Sequence, residues 1–339
     1  MHHLDISGGP YTIGRAMGEQ GREAFAERIL PSDDYRRLTP ALHDGWLADV
    51  GERIRRAFPA CFEELQGLAE GLAQPLERVL LWNCRGDLSP TGPEGCTSVA
   101  VAAGDEAWLA HNEDGNPALR DACFLLQARP DDAPAYLAFC YPGSLAGHTL
   151  GANAAGFAYT VNNLRLIESR RGIPRMVTAR ALLACTDTAD ALHLLDSTRR
   201  AGGFHFMMAD TGQRRPLSVE APWQGVSAIP ATPLAVHANH LVHARFRNLP
   251  QRITDSSAAR QRRLEEWQTL RQGPITPEEL WTLLGDRQHP QLPIHRQAAD
   301  DPDAENTLAS VLFRVTPHGI HGQLRPGPDG PVAWEGGWS

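Results

Sequence analysis

Cys96 stands where a turn becomes a strand. The segment "TGPEG", residues 91–95, carries Pro93, Glu94 and Gly95, which break regular structure, whereas "CTSVAV" from Cys96 onward alternates as a half-buried strand does. If the Gly95–Cys96 bond is broken, one residue carries both a thiol and a free α-amine. An α-amine titrates at about 7.7–8, close to working pH, so it can act as general base for its own thiol. The chain can make that cut itself. The thiol attacks the Gly95 carbonyl, the acyl group moves from nitrogen to sulfur, and water hydrolyses the thioester. A glycine before the cysteine helps, because it has no Cβ and tolerates unusual backbone angles.

Two further residues have the right chemistry at usable spacing. Asp114 lies eighteen residues after Cys96, at the end of the next strand. A two-strand hairpin returns that end to the start of the first strand, and an Asx turn before Gly115 is the structural alternative. His111 and Asn112 just precede it and are candidates for lining the same mouth. Asn239, in "AVHANH", can donate its amide to an oxygen gaining charge in acyl transfer, or simply cap a loop. The same stretch offers a rival chemistry, a histidine-based metal hydrolase. His237, His240 and His243, with His289 and His295 later, would supply the ligands, but the first three alternate faces if extended and no HExxH helix is present.

Composition narrows the class. The chain has 339 residues, 42% of them hydrophobic and 21% charged, as an ordinary globular protein has. A net charge of -8 argues against a nucleic-acid or anionic-membrane surface as partner. No apolar run approaches the roughly 20 residues that span a bilayer, and the first residues lack the basic and apolar regions of a signal peptide. The expectation is therefore a cytoplasmic protein with no membrane partner. Six cysteines at irregular spacing, with no CxxC, read as reduced core residues rather than a zinc or disulfide framework. All 32 Lys+Arg residues are arginine, which excludes lysine Schiff-base chemistry and a P-loop.

The elements that must position these residues follow from periodicity. Residues 1 to about 88 read as mostly helical, with Pro59 dividing or kinking the second long stretch. After the turn-rich segment 89–95 the period changes to two, and "CTSVAVAA", Gly104–Asp105 and "AWLAHNED" form a hairpin. Further strands are expected in "APAYLAFCY", "SLAGHTLGAN" and "AGFAYTVNN". A helix follows over 175–197, then strands in "GGFHFMMAD", "RPLSVEA" and "PLAVHANH". Residues 256–285 are helical, with Pro277 opening the second of two helices. The hairpin-like pair "NTLASVLFRV" and "HGIHGQLRP" comes last. Strands in hairpin runs between helical blocks predict two antiparallel sheets with helices outside, rather than a parallel doubly wound sheet.

The motifs "GCTSVAVAA…AWLAHNEDGN", "PGSLAGHTLGANAAGFAYTVNNL", "FHFMMADTGQRRPLSVE", "HANH" and "NTLASVLF" occur in this order. Together they resemble the acyl-CoA:6-aminopenicillanate acyltransferase family of N-terminal nucleophile hydrolases, over most of the chain and most strongly from Cys96 to Asn163. The resemblance implies an α+β, four-layer αββα sandwich made as a precursor that cuts itself between Gly95 and Cys96. Residues 1–95 would become a small subunit and 96–339 the catalytic core, the two together forming one structural domain. It implies Cys96 as nucleophile, Asp114 holding the α-amine and Asn239 in the oxyanion hole. Ser310 matches a position near the family's active site, where bile-acid and penicillin hydrolases carry arginine. Tyr141 and Gly147, within "YPGSLAGHTLG", and Asn162 are expected to shape the pocket, or to be turn chemistry only. The activity implied is hydrolysis of a small N-acyl or aminoacyl amine, such as a β-alanyl amine, through a thioester and without a cofactor. The alternative is acyl transfer from a coenzyme A thioester. The partners expected are the small-molecule amide and the chain's own cleaved N-terminal fragment.

Overall fold

The computed structural model describes residues 1–43, 45–89, 94–213 and 215–339. Residues 90–93 of the turn-rich segment before Cys96 lie outside the described residues. The N-terminal part opens with a strand that helical periodicity does not announce, β1 (His2–Gly8). Helices α1 (Pro10–Ala24), α2 (Asp33–Leu38), α3 (Trp46–Ala57), α4 (Pro59–Leu72), α5 (Leu76–Asn83) and α6 (Arg85–Leu88) follow. Pro59 does divide the long helical pattern: α3 stops at Ala57, and the proline takes the first position of α4, where no N–H is needed.

Strand β2 (Glu94–Ala103) turns at Gly104, whose φ of 67° suits glycine, into β3 (Glu106–Gly115). A meander continues through β4 (Phe124–Pro130), β5 (Tyr136–Cys140), β6 (Leu150–Asn153) and β7 (Phe157–Asn163). The helix expected over 175–197 is two, α7 (Arg175–Leu182) and α8 (Thr188–Ser197). Local polar chemistry makes the break. Asn153 Nδ2 takes the carbonyls of Leu183 and Cys185 at 3.0 and 2.7 Å, and Asp187 caps α8 by accepting the Asp190 N–H at 2.8 Å. Next come β8 (Phe204–Asp210), β9 (Leu217–Ala221), β10 (Ser227–Pro230) and β11 (Leu234–His237). Helices α9 (Asp255–Leu270) and α10 (Pro277–Leu284) are separate, and Thr276 with Glu279 builds a capping box around Pro277. Strands β12 (Asn306–Thr316), β13 (Gly319–Arg325) and β14 (Trp334–Trp338) complete the order, the last in what reads as a Gly/Pro-rich tail.

The strands form two sheets. One has eight strands in the order β1-β4-β5-β6-β7-β8-β9-β10, the other six in the order β11-β2-β3-β12-β13-β14. Strands β2 and β3 pack across onto β7 and β8, with α1 and α8 outside the first sheet and α9 and α10 outside the second. This is the four-layer αββα arrangement. One departure from the expectation is that the first sheet is not wholly antiparallel, because β1 pairs with β4 in parallel from His2 opposite Phe124 to Gly8 opposite Pro130. A parallel pair needs a long connection, and here α1 to α6 and the β2–β3 hairpin supply it.

The main core ignores the Gly95–Cys96 boundary. Ile13, Leu65 and Leu68 from the N-terminal helices lie in the same buried cluster as Phe139, Phe157, Phe206 and Phe313. Each such side chain contributes about 1.5–3 kcal/mol by leaving water. A chain broken between Gly95 and Cys96 should therefore stay together without a covalent link. Native gel filtration of cut protein checks this: residues 1–95 and 96–339 should co-elute, and separate elution would contradict the shared core.

Candidate active site

The two-residue turn determines which side chains share a face with the cysteine. Cys96 lies opposite Glu113 and Ser98 opposite His111, whereas the pairs Gly95–Asp114 and Thr97–Asn112 point the other way. The cysteine face looks between the sheets, where Ser98 Oγ meets Thr160 Oγ1 of β7 at 3.1 Å. The other face looks toward α9 and α10.

On the cysteine face, Cys96 Sγ donates to Glu113 Oε2 at 3.4 Å and Tyr141 OH donates to Glu113 Oε1 at 2.8 Å. His111 Nε2 lies 3.3 Å from the same Oε2, and its Nδ1 lies 2.8 Å from Ser98 Oγ. Burial and the Glu113 carboxylate push the Cys96 thiol well above its ordinary range, while the main-chain N–H of Asn163 pulls the other way. The uncut thiol is thus protonated, and attack by it requires a base. Burial also holds His111 down to about 3, so its imidazole is neutral.

The other face carries charge. Arg260, only 1% exposed, donates from Nη2 to Asn239 Oδ1 at 2.7 Å, from Nη1 to Thr97 Oγ1 at 3.0 Å, and to the Cys96 carbonyl. Asn239 Oδ1 also accepts the Cys96 N–H at 2.9 Å, and Asn239 Nδ2 donates to the Asn163 carbonyl at 3.2 Å. Asp114 Oδ1 accepts from Thr307 Oγ1 at 2.6 Å, and its buried Oδ2 has no partner among the described residues. Burial raises the Asp114 carboxyl against the opposing pull of Arg260 and Arg296. Glu305 sits between Arg165, at 3.1 Å, and Arg296, and burial outweighs both to raise it to about 7. A Cβ on Gly95 would stand 2.2 Å from Glu305 Oε2 and 3.0 Å from Arg296 Nη1. Gly95 does not have a positive φ, so space rather than dihedral freedom demands glycine here.

A small cavity opens on Cys96, Glu113, Tyr141, His148 and Phe204. Through Arg85, Tyr141 and Asn163 it adjoins a larger one, walled mainly by the N-terminal helices with Ile29, Leu38 and Trp82 as apolar lining. The helical segment before the cysteine thus builds most of the wall of the larger cavity.

Of the residues singled out in the sequence, Cys96, Asn239, His111 and Tyr141 meet at one place, and Asp114 lies across the strand from Gly95. Ser310 and Asn112 do not reach the thiol. Ser310 Oγ donates to Asn112 Oδ1 at 2.6 Å and Asn112 Nδ2 to the Leu284 carbonyl at 2.8 Å, on the helix-facing side. Gly147 packs instead beneath Tyr159, whose OH would be 2.5 Å from an added Cβ. Asn162 joins β7 to the His237 carbonyl at 3.2 Å, and its neighbour Asn163 lines the cavities. Sequence reasoning missed Glu113, Arg260 and Glu305. Counting register back from Gly104–Asp105 would have found the first; the other two carry no local signal.

The five histidines of the rival reading are not one metal-like group among the described residues. His237 binds Glu220 at 3.3 Å, His240 binds Ser257 at 2.8 Å, and His243 binds Ser218 at 3.0 Å. His289 and His295 belong to the loop after α10, where His289 Nδ1 accepts main-chain N–H groups and His295 contacts Arg287. One group of donors does converge: Cys96, His111 and Glu113, all buried, with ligand atoms within 4.8 Å of one another.

Three known proteins and one family model are similar to this chain. The chain is 26% identical over 162 residues to a β-alanyl-dopamine/carcinine hydrolase of Drosophila melanogaster, covering 42% of each chain. It is 23% identical over 216 residues to the 40 kDa form of an acyl-coenzyme A:6-aminopenicillanic-acid acyltransferase of Emericella nidulans, covering 61% of this chain and 60% of that one. The matched regions thus span less than two thirds of either relative. A variant of conjugated bile acid hydrolase from Clostridium perfringens superposes with a TM-score of 0.46 at 12% identity, covering 68% of this chain and 89% of that one. The family model of the acyl-coenzyme A:6-aminopenicillanic acid acyl-transferases matches residues 101–324, about two thirds of the chain. The chain belongs to that family.

Proposed function

We propose that the chain is a self-processing N-terminal-cysteine amidohydrolase that cleaves small aminoacyl amines, a β-alanyl amine among them. The observation that carries the reading is the setting of Cys96. Its N–H is held by Asn239, its thiol faces a cavity, and a carboxylate stands 3.4 Å from the sulfur. In processing, Sγ attacks the Gly95 carbonyl and passes its proton to Glu113. The Cys96 nitrogen, held by Asn239 Oδ1, takes that proton back as its bond to the Gly95 carbonyl carbon breaks and leaves as the amine, and water hydrolyses the resulting thioester to a Gly95 carboxylate and the free thiol. Removing the acyl group from the nitrogen creates the base used afterwards.

In turnover the α-amine takes the thiol proton, sulfur attacks the substrate carbonyl, and the amine product leaves with that proton. Water then resolves the thioester. The oxyanion needs donors, and the main-chain N–H of Asn163 and Asn239 Nδ2 can supply them, once the latter exchanges the Asn163 carbonyl for the substrate oxygen. Asp114 acts through the charge it sets opposite Gly95, and Ser310 supports Asn112. Glu113 favours an acyl group that itself bears an ammonium, because a buried carboxylate beside the reacting carbon stabilises a cation a few bonds away. The Drosophila relative's name describes such an acyl group. Acyl transfer from a coenzyme A thioester is less favoured, since Arg28 and Arg37 at the rim of the larger cavity are already paired with Asp121 and Asp34.

Three outcomes are expected. Glu113→Gln should slow self-cutting, and its cut fraction should lose about 10- to 100-fold more kcat/KM for a β-alanyl amine than for its N-propionyl analogue, the worth of one charged hydrogen bond; equal losses in the cut fraction would remove the ammonium assignment. Gly95→Ala should leave the chain largely uncut on a denaturing gel, because the new methyl meets Glu305 and Arg296, and normal cutting would show that this wall yields. The third concerns pH. Because burial raises Glu305 from an ordinary 4.5 to about 7, the folded protein keeps this proton where the unfolded chain has lost it. Its contribution is complete below about pH 4.5 and is lost as pH rises through about 7, amounting to about 3 kcal/mol. Urea unfolding of wild type and Glu305→Gln at pH 5 and pH 8 should show the wild type losing ground to the variant at the higher pH; the opposite trend contradicts the assignment.

A further inference from the structure

We propose that Cys96 Sγ, His111 Nε2 and Glu113 Oε2 form a binding site for a borderline divalent transition-metal cation, Zn²⁺ by its chemistry, whose occupation locks the nucleophile. The three atoms come from one face of one hairpin. Sγ and Oε2 are 3.4 Å apart, Nε2 and Oε2 are 3.3 Å apart, and all three lie within 4.8 Å of one another. Tetrahedral zinc, with bonds of about 2.0–2.3 Å, needs its ligand atoms roughly 3.3–3.6 Å apart. Two of the three separations already match, and the third, Sγ to Nε2, is within 4.8 Å.

The surroundings are those of a metal site as well. A ligating histidine donates its other ring N–H to a fixed acceptor, and His111 Nδ1 lies 2.8 Å from Ser98 Oγ, itself held 3.1 Å from Thr160 Oγ1. A ligating carboxylate is held through its second oxygen, and Tyr141 OH donates to Glu113 Oε1 at 2.8 Å. A thiolate and a carboxylate together offset the two positive charges that enter a buried space. Binding replaces the thiol proton, which leaves to solvent, by a sulfur–metal bond, so no redox partner is required. In cut protein the freed α-amine of Cys96 adds a nitrogen donor on the same residue, two bonds from the carbon that carries sulfur. The metal would therefore occupy both the nucleophile and its base. This is the reverse of the histidine-based hydrolase, because here the cation stops the chemistry.

The inference uses the proposed function only in naming the locked group a nucleophile, and its test does not depend on turnover. Full-chain protein freed of metal by chelator would be titrated with Co²⁺. A thiolate-to-cobalt charge-transfer band should saturate at one ion per chain, Zn²⁺ should displace it, and Zn²⁺ should protect Cys96 from alkylation by iodoacetamide, as read by peptide mass. His111→Ala should abolish the one-to-one band. Ser98→Ala, which removes the hydroxyl that holds His111 Nδ1 but none of the three ligands, should keep the band and weaken Zn²⁺ protection about 10-fold. A band and a protection unchanged in both variants would overturn the site, because sulfur alone would then be binding. Zn²⁺ raising rather than blocking Cys96 reactivity would overturn the lock. A His111-dependent band in protein that hydrolyses no amide would support the site while removing the proposed function.

Discussion

The Arg260 guanidinium is the interaction on which the site depends. From one buried position on α9 it reaches the Cys96 carbonyl, the Thr97 hydroxyl and the Asn239 amide oxygen, so a single cation ties the start of β2 to the loop after β11. Burial lowers its proton affinity from the usual arginine value, yet an arginine starts so high that it stays charged at neutral pH. A buried cation with its acceptors removed costs about 3–5 kcal/mol, which is a large share of a domain's net stability. The geometry about Cys96 is therefore fixed by the fold rather than by a mobile loop. Neighbouring contacts reinforce it: Ser257 Oγ receives the Asn239 N–H at 3.0 Å and Gln261 Oε1 the Ala238 N–H at 2.8 Å.

With that clamp in place, the two faces of one hairpin hold different chemistry. The face bearing Cys96 looks into a cavity and carries one carboxylate, a neutral histidine and a phenol. The face bearing Gly95 and Asp114 looks onto arginines and acids that are almost wholly buried. The bond between residues 95 and 96 is where the two environments meet, since consecutive strand residues point to opposite sides. One environment surrounds the Cys96 sulfur, and the other leaves no room for a Cβ at residue 95. The sheet's alternation thus separates the two by a single peptide.

Much of this was readable from residue order, and the reasons for the rest are physical. The period-two run with its Gly104–Asp105 turn located Cys96, and the same turn also determines register. Since Cys96 pairs with Glu113, the acid on the thiol's side is the neighbour of Asp114, and strand alternation would have said so. Pro59 and Pro277 marked helix starts because a missing N–H costs nothing there. Other features depend on distance in sequence. β1 reads as an ordinary polar stretch until Phe124–Pro130 lies beside it, and Arg260, Arg296 and Glu305 become a network only when α9, the loop before β12 and the hairpin are brought together. Ser310 and Asn112 illustrate the opposite case, in which residue types suited to catalysis satisfy one another's hydrogen bonds on the side away from the thiol.

The proposed chemistry requires that Cys96 become an N-terminus. Intact-mass measurement of freshly purified wild type and of Cys96→Ala tests this most directly. The prediction is two species for the wild type, residues 1–95 and residues 96–339 with cysteine first, and one uncut chain for the variant. A single full-length mass in both proteins would remove the free α-amine, and with it the base on which the mechanism rests.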